Sequence, residues 1–241
     1  AVSSYQPKSS LVKVLFEPNS KLIDSATYDI TAWSLPYAMG LDAFAVKEKL
    51  VLVNMKNKIP PAQGFAITDN IPKAYAYIIP WTSFGSAELL AQLLKAGIKV
   101  RYAEQPFEID ARKFEKGSLI ITKAANKLSD DKLFSTLTQC IVKSPNYFEN
   151  IVPVRTGFVD KGFDLGSDRV RYINSPRVAL LSGEGLNPNA VGEIWHFFEQ
   201  QLKYPLSLLN ASDMGQINWK SFDVLIMPDG FYRSLSDKVI T

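Results

Sequence analysis

From residue 74 onward, short apolar runs alternate with longer segments of helical periodicity, and this alternation limits the fold more than any other feature. Strand-like runs occupy residues 76–80, 98–102 and 119–122. Residues 86–96 and 129–142 place leucines at the three- and four-residue spacing of one helix face. Strands that alternate with helices of this length are typical of β-α-β units. We therefore predict an α/β fold with a largely parallel sheet.

A second alternating unit follows a glycine-rich, polar segment at residues 156–174, which we interpret as a long loop. Strand patterns recur at residues 177–181, 206–210 and 222–227, and a helix is predicted over residues 188–202. Three strands with such crossovers indicate the opening of a doubly wound, flavodoxin-like sheet.

The sequence thus predicts three regions. Residues 1–73 form a short helical leader and a linker, in which residues 6–16 and 28–38 have helical patterns. Residues 74–174 form a small α/β domain. Residues 175–241 form the start of the flavodoxin-like domain, which we expect to be truncated because a helix pattern has only begun at residues 234–240.

Charge and hydropathy argue against two classes of partner. The net charge is +3, and the 27 Lys and Arg residues are scattered rather than clustered. A nucleic-acid or membrane-surface site would show a dense basic run. No apolar run approaches the roughly 18–20 residues that span a bilayer. We therefore expect neither a nucleic acid nor a membrane as a partner.

Several stretches resemble one known family. Residues 28–41 read Tyr-Asp-Ile-Thr-Ala-Trp-Ser-Leu-Pro-Tyr-Ala-Met-Gly-Leu. This segment resembles one that bacterial zinc-carboxypeptidase-like proteins, similar to the metallocarboxypeptidase A family, carry after their catalytic domain. Further matching stretches cover nearly the whole chain in order: residues 6–17, 88–100, 116–118, 162–167, 176–180 and 223–228.

A catalytic zinc site of that family needs two histidines and a glutamate, with one position open for water. The chain has one histidine, His196. The resemblance therefore implies a non-catalytic accessory region that supports or positions substrate for a zinc domain absent from this chain. It implies a hydrolase parent with zinc in its own peptidase domain, that domain and peptide substrate as partners, and export to the periplasm or outside. No cofactor is expected in this chain.

By fold, the region from about residue 175 resembles class I glutamine amidotransferase domains. Their nucleophile is a cysteine at a sharp strand-to-helix turn. Cys140 lies upstream of this region and within a predicted helix, so it cannot be that nucleophile. Residues 228–230 occupy the place of the loop that supplies oxyanion-stabilising amides. The carboxylate of Asp229 would repel a developing oxyanion there.

Two loops form the candidate ligand pocket. Ser182, Gly183 and Glu184 follow the first strand of the second domain, and Asp229 and Gly230 follow its third. Ligands bind at the carboxyl ends of strands in doubly wound sheets. The alternative function is therefore a small-ligand or peptide-binding module that uses these loops. Two ordinary strand-to-helix turns are the other interpretation. We predict no catalytic residue and no metal ligand in the chain.

Three further features have structural interpretations. His196 lies between Trp195 and Phe197 on a helix, where a surface or partly buried histidine is expected. Cys140 lies late in its helix, where the helix dipole does not favour a thiolate, so a structural cysteine is expected. Residues 162–167 lack the spacing of a nucleotide-binding loop, and a turn with positive φ at Gly162 and Gly166 is expected instead.

Overall fold

The computed structural model describes residues 2–17, 34–41, 43–47, 74–147 and 151–232. In the leader, α1 spans Ser9–Phe16 and α2 spans Leu35–Met39. The helix predicted over residues 6–16 is confirmed. Of the pattern at residues 28–38, only the end lies within the described residues. There Pro36 belongs to the first turn of α2, where its missing N–H has no helical partner. α2 contacts the first helix of the following domain.

In the predicted first domain, the residues described from Ala74 onward form a five-stranded sheet. Its elements are β1 Ala76–Ile79, α3 Phe84–Lys95, β2 Arg101–Ala103, β3 Phe107–Ile109, β4 Arg112–Phe114, β5 Leu119–Thr122, α4 Lys123–Asn126, α5 Asp130–Val142, β6 Val152–Val154 and β7 Val170–Tyr172. The strand order is β6-β1-β5-β2-β7. The two short strands β3 and β4 form a separate hairpin.

The prediction of a largely parallel sheet is wrong for this domain, because every neighbouring pair in the sheet is antiparallel. α3 does connect two strands that run in the same direction, β1 and β2. However, β5 lies between them and runs the opposite way. The chain leaves β2, passes through the β3–β4 hairpin and returns as β5. This is a split β-α-β arrangement of the ferredoxin-like kind, with β7 added at one edge.

Both faces of this sheet are covered, which explains why its central strands are continuous apolar runs. All four residues of β1 and all four of β5 are buried. On one face, Tyr77 and Ile79 pack with the leucines of α3 and α5. On the other face, Ile78 packs with residues of the β3–β4 hairpin and with Leu165 from the segment after β6.

Within residues 175–232, the described part of the second domain has three strands, and here the predicted parallel sheet is confirmed. Its elements are β8 Val178–Ser182, α6 Pro188–His196, a π-helix at Phe197–Leu202, β9 Leu206–Asn210, 3₁₀ helices at Ala211–Gln216 and Trp219–Ser221, and β10 Val224–Ile226. The order is β10-β8-β9, and β8 pairs in parallel with both neighbours. The first strand therefore lies between the second and the third, as at the start of a flavodoxin-like sheet.

The π-helix joins the two domains. The side chain of Gln92 on α3 donates from Nε2 to the carbonyl oxygen of Leu202 at 3.3 Å. Lys95 donates from Nζ to the carbonyl oxygen of Lys203 at 2.7 Å. The rings of Phe84 and Phe197 lie 5.7 Å apart. The helix predicted over residues 188–202 is thus present in full length, but its last turn widens where it meets α3.

The structure corrects the interpretation of residues 156–174 as a loop that leaves the first domain. This segment packs back on the sheet through Leu165 and contributes β7 at the sheet edge. Within it, Gly162 has the expected positive φ of 99°, whereas Gly166 does not. None of the helices among the described residues has the length and apolar character needed to cross a bilayer. The helix pattern at residues 234–240 lies outside the described residues.

Candidate functional site at the strand ends of the second domain

The carboxyl ends of β8 and β10 lie side by side, at the point where the strand order of the sheet reverses. Ser182 is the last residue of β8, and the loop after it contains Gly183 and Glu184, whereas the loop after β10 contains Asp229 and Gly230. An isolated bridge joins Leu186 to Gly230. The structure therefore brings the two predicted loops together, in the crevice where doubly wound sheets bind ligands.

Backbone hydrogen bonds fasten these loops to each other. The N–H of Asn187 donates to the carbonyl oxygen of Asp229 at 2.9 Å, and the N–H of Phe231 donates to that of Gly185 at 2.8 Å. Ser182 donates its hydroxyl proton to the carbonyl oxygen of Leu209 at 3.1 Å. Ser182 thus links the end of β8 to β9, and its hydroxyl proton is not available to a ligand.

Gly183 is required by its surroundings. Its φ is +115°, which side chains disfavour, and a Cβ atom there would lie 2.4 Å from Oδ1 of Asn210. The loop after β8 therefore passes tightly over the end of β9. A side chain at this position would displace the Asn210 amide, whose Oδ1 accepts a hydrogen bond from the N–H of Ser212 at the start of the following 3₁₀ helix.

Two exposed carboxylates, Glu184 and Asp229, stand at this edge. Asp229 accepts a hydrogen bond at Oδ2 from Nδ2 of Asn187, at 3.2 Å. Asn187 is also the N-cap of α6, since its Oδ1 accepts from the N–H of Asn189 at 3.0 Å. The Asp229 carboxylate is thereby held near the start of a helix, where the helix dipole favours negative charge.

Tyr232 makes a hydrogen bond to the loop that follows β10. Its hydroxyl donates to the carbonyl oxygen of Pro228, a buried residue. Burial and then the negative charge of Asp229 raise the pKa of the Tyr232 hydroxyl. Tyr232 is therefore a neutral hydrogen-bond donor to Pro228, the residue that precedes Asp229 in the loop.

The other reactive residues lie elsewhere. His196 is exposed at the end of α6, and Cys140 is buried on α5 in the first domain. Burial raises the pKa of the Cys140 thiol, which disfavours the reactive thiolate. In the described part of the chain, no three His, Cys, Asp or Glu side chains are grouped to hold a metal ion. With one histidine in the full sequence, the donor set does not fit a zinc site with two histidines.

Asn187 is the residue of this site that the sequence analysis missed. An Asn followed by Pro188 is a common start of a helix, since asparagine caps the first turn and proline suits its first position. That signal predicts the cap but not the contact with Asp229, which depends on the packing of β10 against β8.

Comparisons with known proteins identify no relative: no family model matches the chain, and neither a curated protein nor a solved structure is significantly similar to it.

Proposed function

We propose that this chain is a non-catalytic accessory region of a zinc-carboxypeptidase-like protein. The observation that carries the proposal is the single histidine of a chain whose segments resemble, in order, the region after the peptidase domain of that family. Such a chain would leave zinc and hydrolysis to its parent's peptidase domain. The parent would act on peptides in the periplasm or outside the cell.

Contacts between the elements support a scaffold role. α2 of the leader contacts α3, and α3 in turn holds the π-helix of the second domain. The leader and the second domain therefore both contact α3, through which a domain that precedes the leader could be linked to the rest of the chain. In this proposal, the chain orients peptide substrate or stabilises the peptidase domain.

The test compares the whole parent polypeptide with a version that lacks residues 74–232. We expect about one zinc ion per polypeptide in both. Hydrolysis of peptides from their C-terminus should occur in both, with a higher KM or a lower melting temperature in the shortened version. The isolated chain should bind far less than one zinc ion. Tightly bound zinc in the isolated chain, or identical KM and melting temperature, would contradict the proposal.

A second function is favoured by the joined loops at the strand ends. Here the chain would be a small-ligand or peptide-binding module, with Glu184 and Asp229 as the exposed polar groups. A ligand that binds only the folded state raises the melting temperature. We expect such a shift with a ligand carrying a positive charge, and its loss in Asp229→Ala. Asp168→Ala, which removes an exposed carboxylate outside these loops, should retain the shift. No shift with any peptide or metabolite would leave the scaffold role alone.

A further inference from the structure

A cleft of about 550 Å³ opens on the first domain, beside the segment that follows β6. Its lining includes Tyr75, Arg155, Thr156, Phe158, Asp164 and Ser167. The volume lies within the roughly 300–1,000 Å³ that is typical of small-molecule sites. This cleft is separate from the strand ends of the second domain.

The wall of the cleft is held in a fixed shape. The N–H of Leu165 donates to the carbonyl oxygen of Gly157 at 2.9 Å, which closes the segment into a loop. Within that loop, the N–H of Val159 donates to Oδ1 of Asp164 at 3.0 Å. Leu165 is fully buried in the core under the sheet and anchors the loop there. The backbone of this loop is therefore held in place without a ligand, which lowers the entropy cost of ordering it on binding.

Two aromatic rings line this cleft and remain in contact with solvent. Tyr75 is 43% exposed and Phe158 is 77% exposed. The ring of Tyr75 lies so close to the backbone that a Cβ atom on Gly157 would be 2.7 Å from its Cε1. Flat apolar groups bind well between aromatic side chains.

Arg155 supplies a positive charge beside these rings. Among the residues that the structure describes, Arg155 has neither an ion pair nor a side-chain hydrogen bond, whereas Arg171 and Arg177 are both paired with carboxylates. A guanidinium group can bind a carboxylate through two parallel hydrogen bonds. The hydroxyl oxygen of Thr156 accepts from the N–H of Phe158 at 3.1 Å, which leaves its proton for a ligand.

We propose that this cleft binds a small aromatic carboxylate. The carboxylate pairs with Arg155 and accepts from Thr156, and the flat apolar part packs against Tyr75 and Phe158. This site lies on the first domain and does not depend on the peptidase parent. A test of ligand binding at this cleft therefore gives a result that is independent of whether the proposed accessory function is correct.

The test is isothermal titration calorimetry of the purified chain with 3-phenylpropionate. We expect saturable binding with one site per chain. The uncharged amide of the same acid should bind at least about tenfold more weakly, since it cannot form the ion pair. Inorganic phosphate should also bind at least about tenfold more weakly, because it lacks the ring.

Variants locate the site. Arg155→Gln should weaken binding of 3-phenylpropionate about tenfold or more, and Phe158→Ala should weaken it severalfold. Arg112→Gln is the matched control, because Arg112 is exposed on β4 and does not line the cleft. Unchanged melting temperatures would show that each variant is folded. Three results would each overturn the proposal: no saturable binding up to about 10 mM, equal binding of acid and amide, or wild-type binding by Arg155→Gln.

Discussion

Arg177 and Asp223 clamp together the residues that immediately precede β8 and β10. The N–H of Arg177 donates to Oδ2 of Asp223 at 2.8 Å, and the N–H of Asp223 donates to the carbonyl oxygen of Arg177 at 2.9 Å. The guanidinium adds hydrogen bonds to both carboxylate oxygens, at 3.0 and 2.9 Å. These contacts set the register of β10 against the first strand of the domain. They therefore fix which loops meet at the opposite end of the sheet.

The hydrogen bonds between Arg177 and Asp223, which we call the clamp, should make the free energy of unfolding depend on pH in the acid range. The hydrogen bond from the Arg177 side chain, with that from its backbone N–H, lowers the pKa of Asp223 from 3.8 to about 2. A carboxylate with a lowered pKa stabilises the folded state fully above its ordinary pKa, and the contribution is lost as pH falls through the folded value. We expect the contribution to vanish between about pH 4 and pH 2. It should be small and salt-dependent because the pair is exposed.

Urea unfolding at a series of pH values would check this. The midpoint for the wild type should fall more steeply than that for Asp223→Asn over the same acid range. Asp168→Asn serves as the control, since Asp168 has no ion pair among the described residues. Parallel curves for wild type and Asp223→Asn would contradict the role of the clamp.

The turn of the β3–β4 hairpin offers a stabilising substitution. Asp110 and Ala111 connect the two strands with φ values of 51° and 57°. Positive φ at both central residues is the type I′ turn, which favours glycine at its second position. Ala111→Gly should raise the free energy of unfolding by about 0.5–1 kcal/mol, because alanine is strained there.

An alanine-to-glycine substitution within a helix should instead lower the free energy of unfolding. Ala87 lies within α3, where glycine costs about 1 kcal/mol relative to alanine. Chemical denaturation of Ala111→Gly and Ala87→Gly would compare them directly. A loss of stability in both variants would show that the positive φ of Ala111 carries no strain.

This turn also explains why the hairpin was not predicted. An Asp-Gly pair between apolar runs is a strong hairpin signal, but the chain has Asp110-Ala111. β3 and β4 are also only three residues long. Because the hairpin was not predicted, the alternation of strands and helices indicated that consecutive strands of the first sheet were parallel neighbours. The position of β5 between β1 and β2 is set by tertiary packing, which periodicity does not encode.

Cys140 should be chemically protected in the folded protein. It lies on α5, where it is buried in the core that α3 and α5 form with the sheet, and burial raises the pKa of its thiol. Since the thiolate is the reactive form, an aromatic disulfide reagent should label the native chain at least about a hundredfold more slowly than the unfolded chain. Absorbance measurement of the released thiol product would follow both rates. Equal rates before and after unfolding would show that Cys140 is accessible.

More of the candidate site than of the first domain could be predicted from sequence. The parallel order of β8, β9 and β10 follows from their continuous apolar pattern and crossovers, so the loops at Glu184 and Asp229 were expected to meet. The hydrogen bonds that Asn187 makes with Asp229 were not predicted, because they depend on how closely β10 approaches β8. The cleft at Arg155 was not predicted, because all of its lining except Tyr75 comes from residues 155–167, most of which the sequence analysis interpreted as a loop that leaves the domain.

Gln92 should contribute to stability through its contact with the second domain. It is 6% exposed, and its Nε2 donates to the carbonyl oxygen of Leu202 at the end of the π-helix. Gln92→Ala should lower the free energy of unfolding by about 1–2 kcal/mol, because a buried hydrogen bond is lost and an acceptor loses its partner. Urea denaturation monitored by circular dichroism would measure the loss. Gln139→Ala is the matched control, since Gln139 is an exposed glutamine within α5 and undergoes the same change in helix propensity. A cost for Gln92→Ala within about 0.5 kcal/mol of that control would mean that this hydrogen bond does not stabilise the junction between the domains.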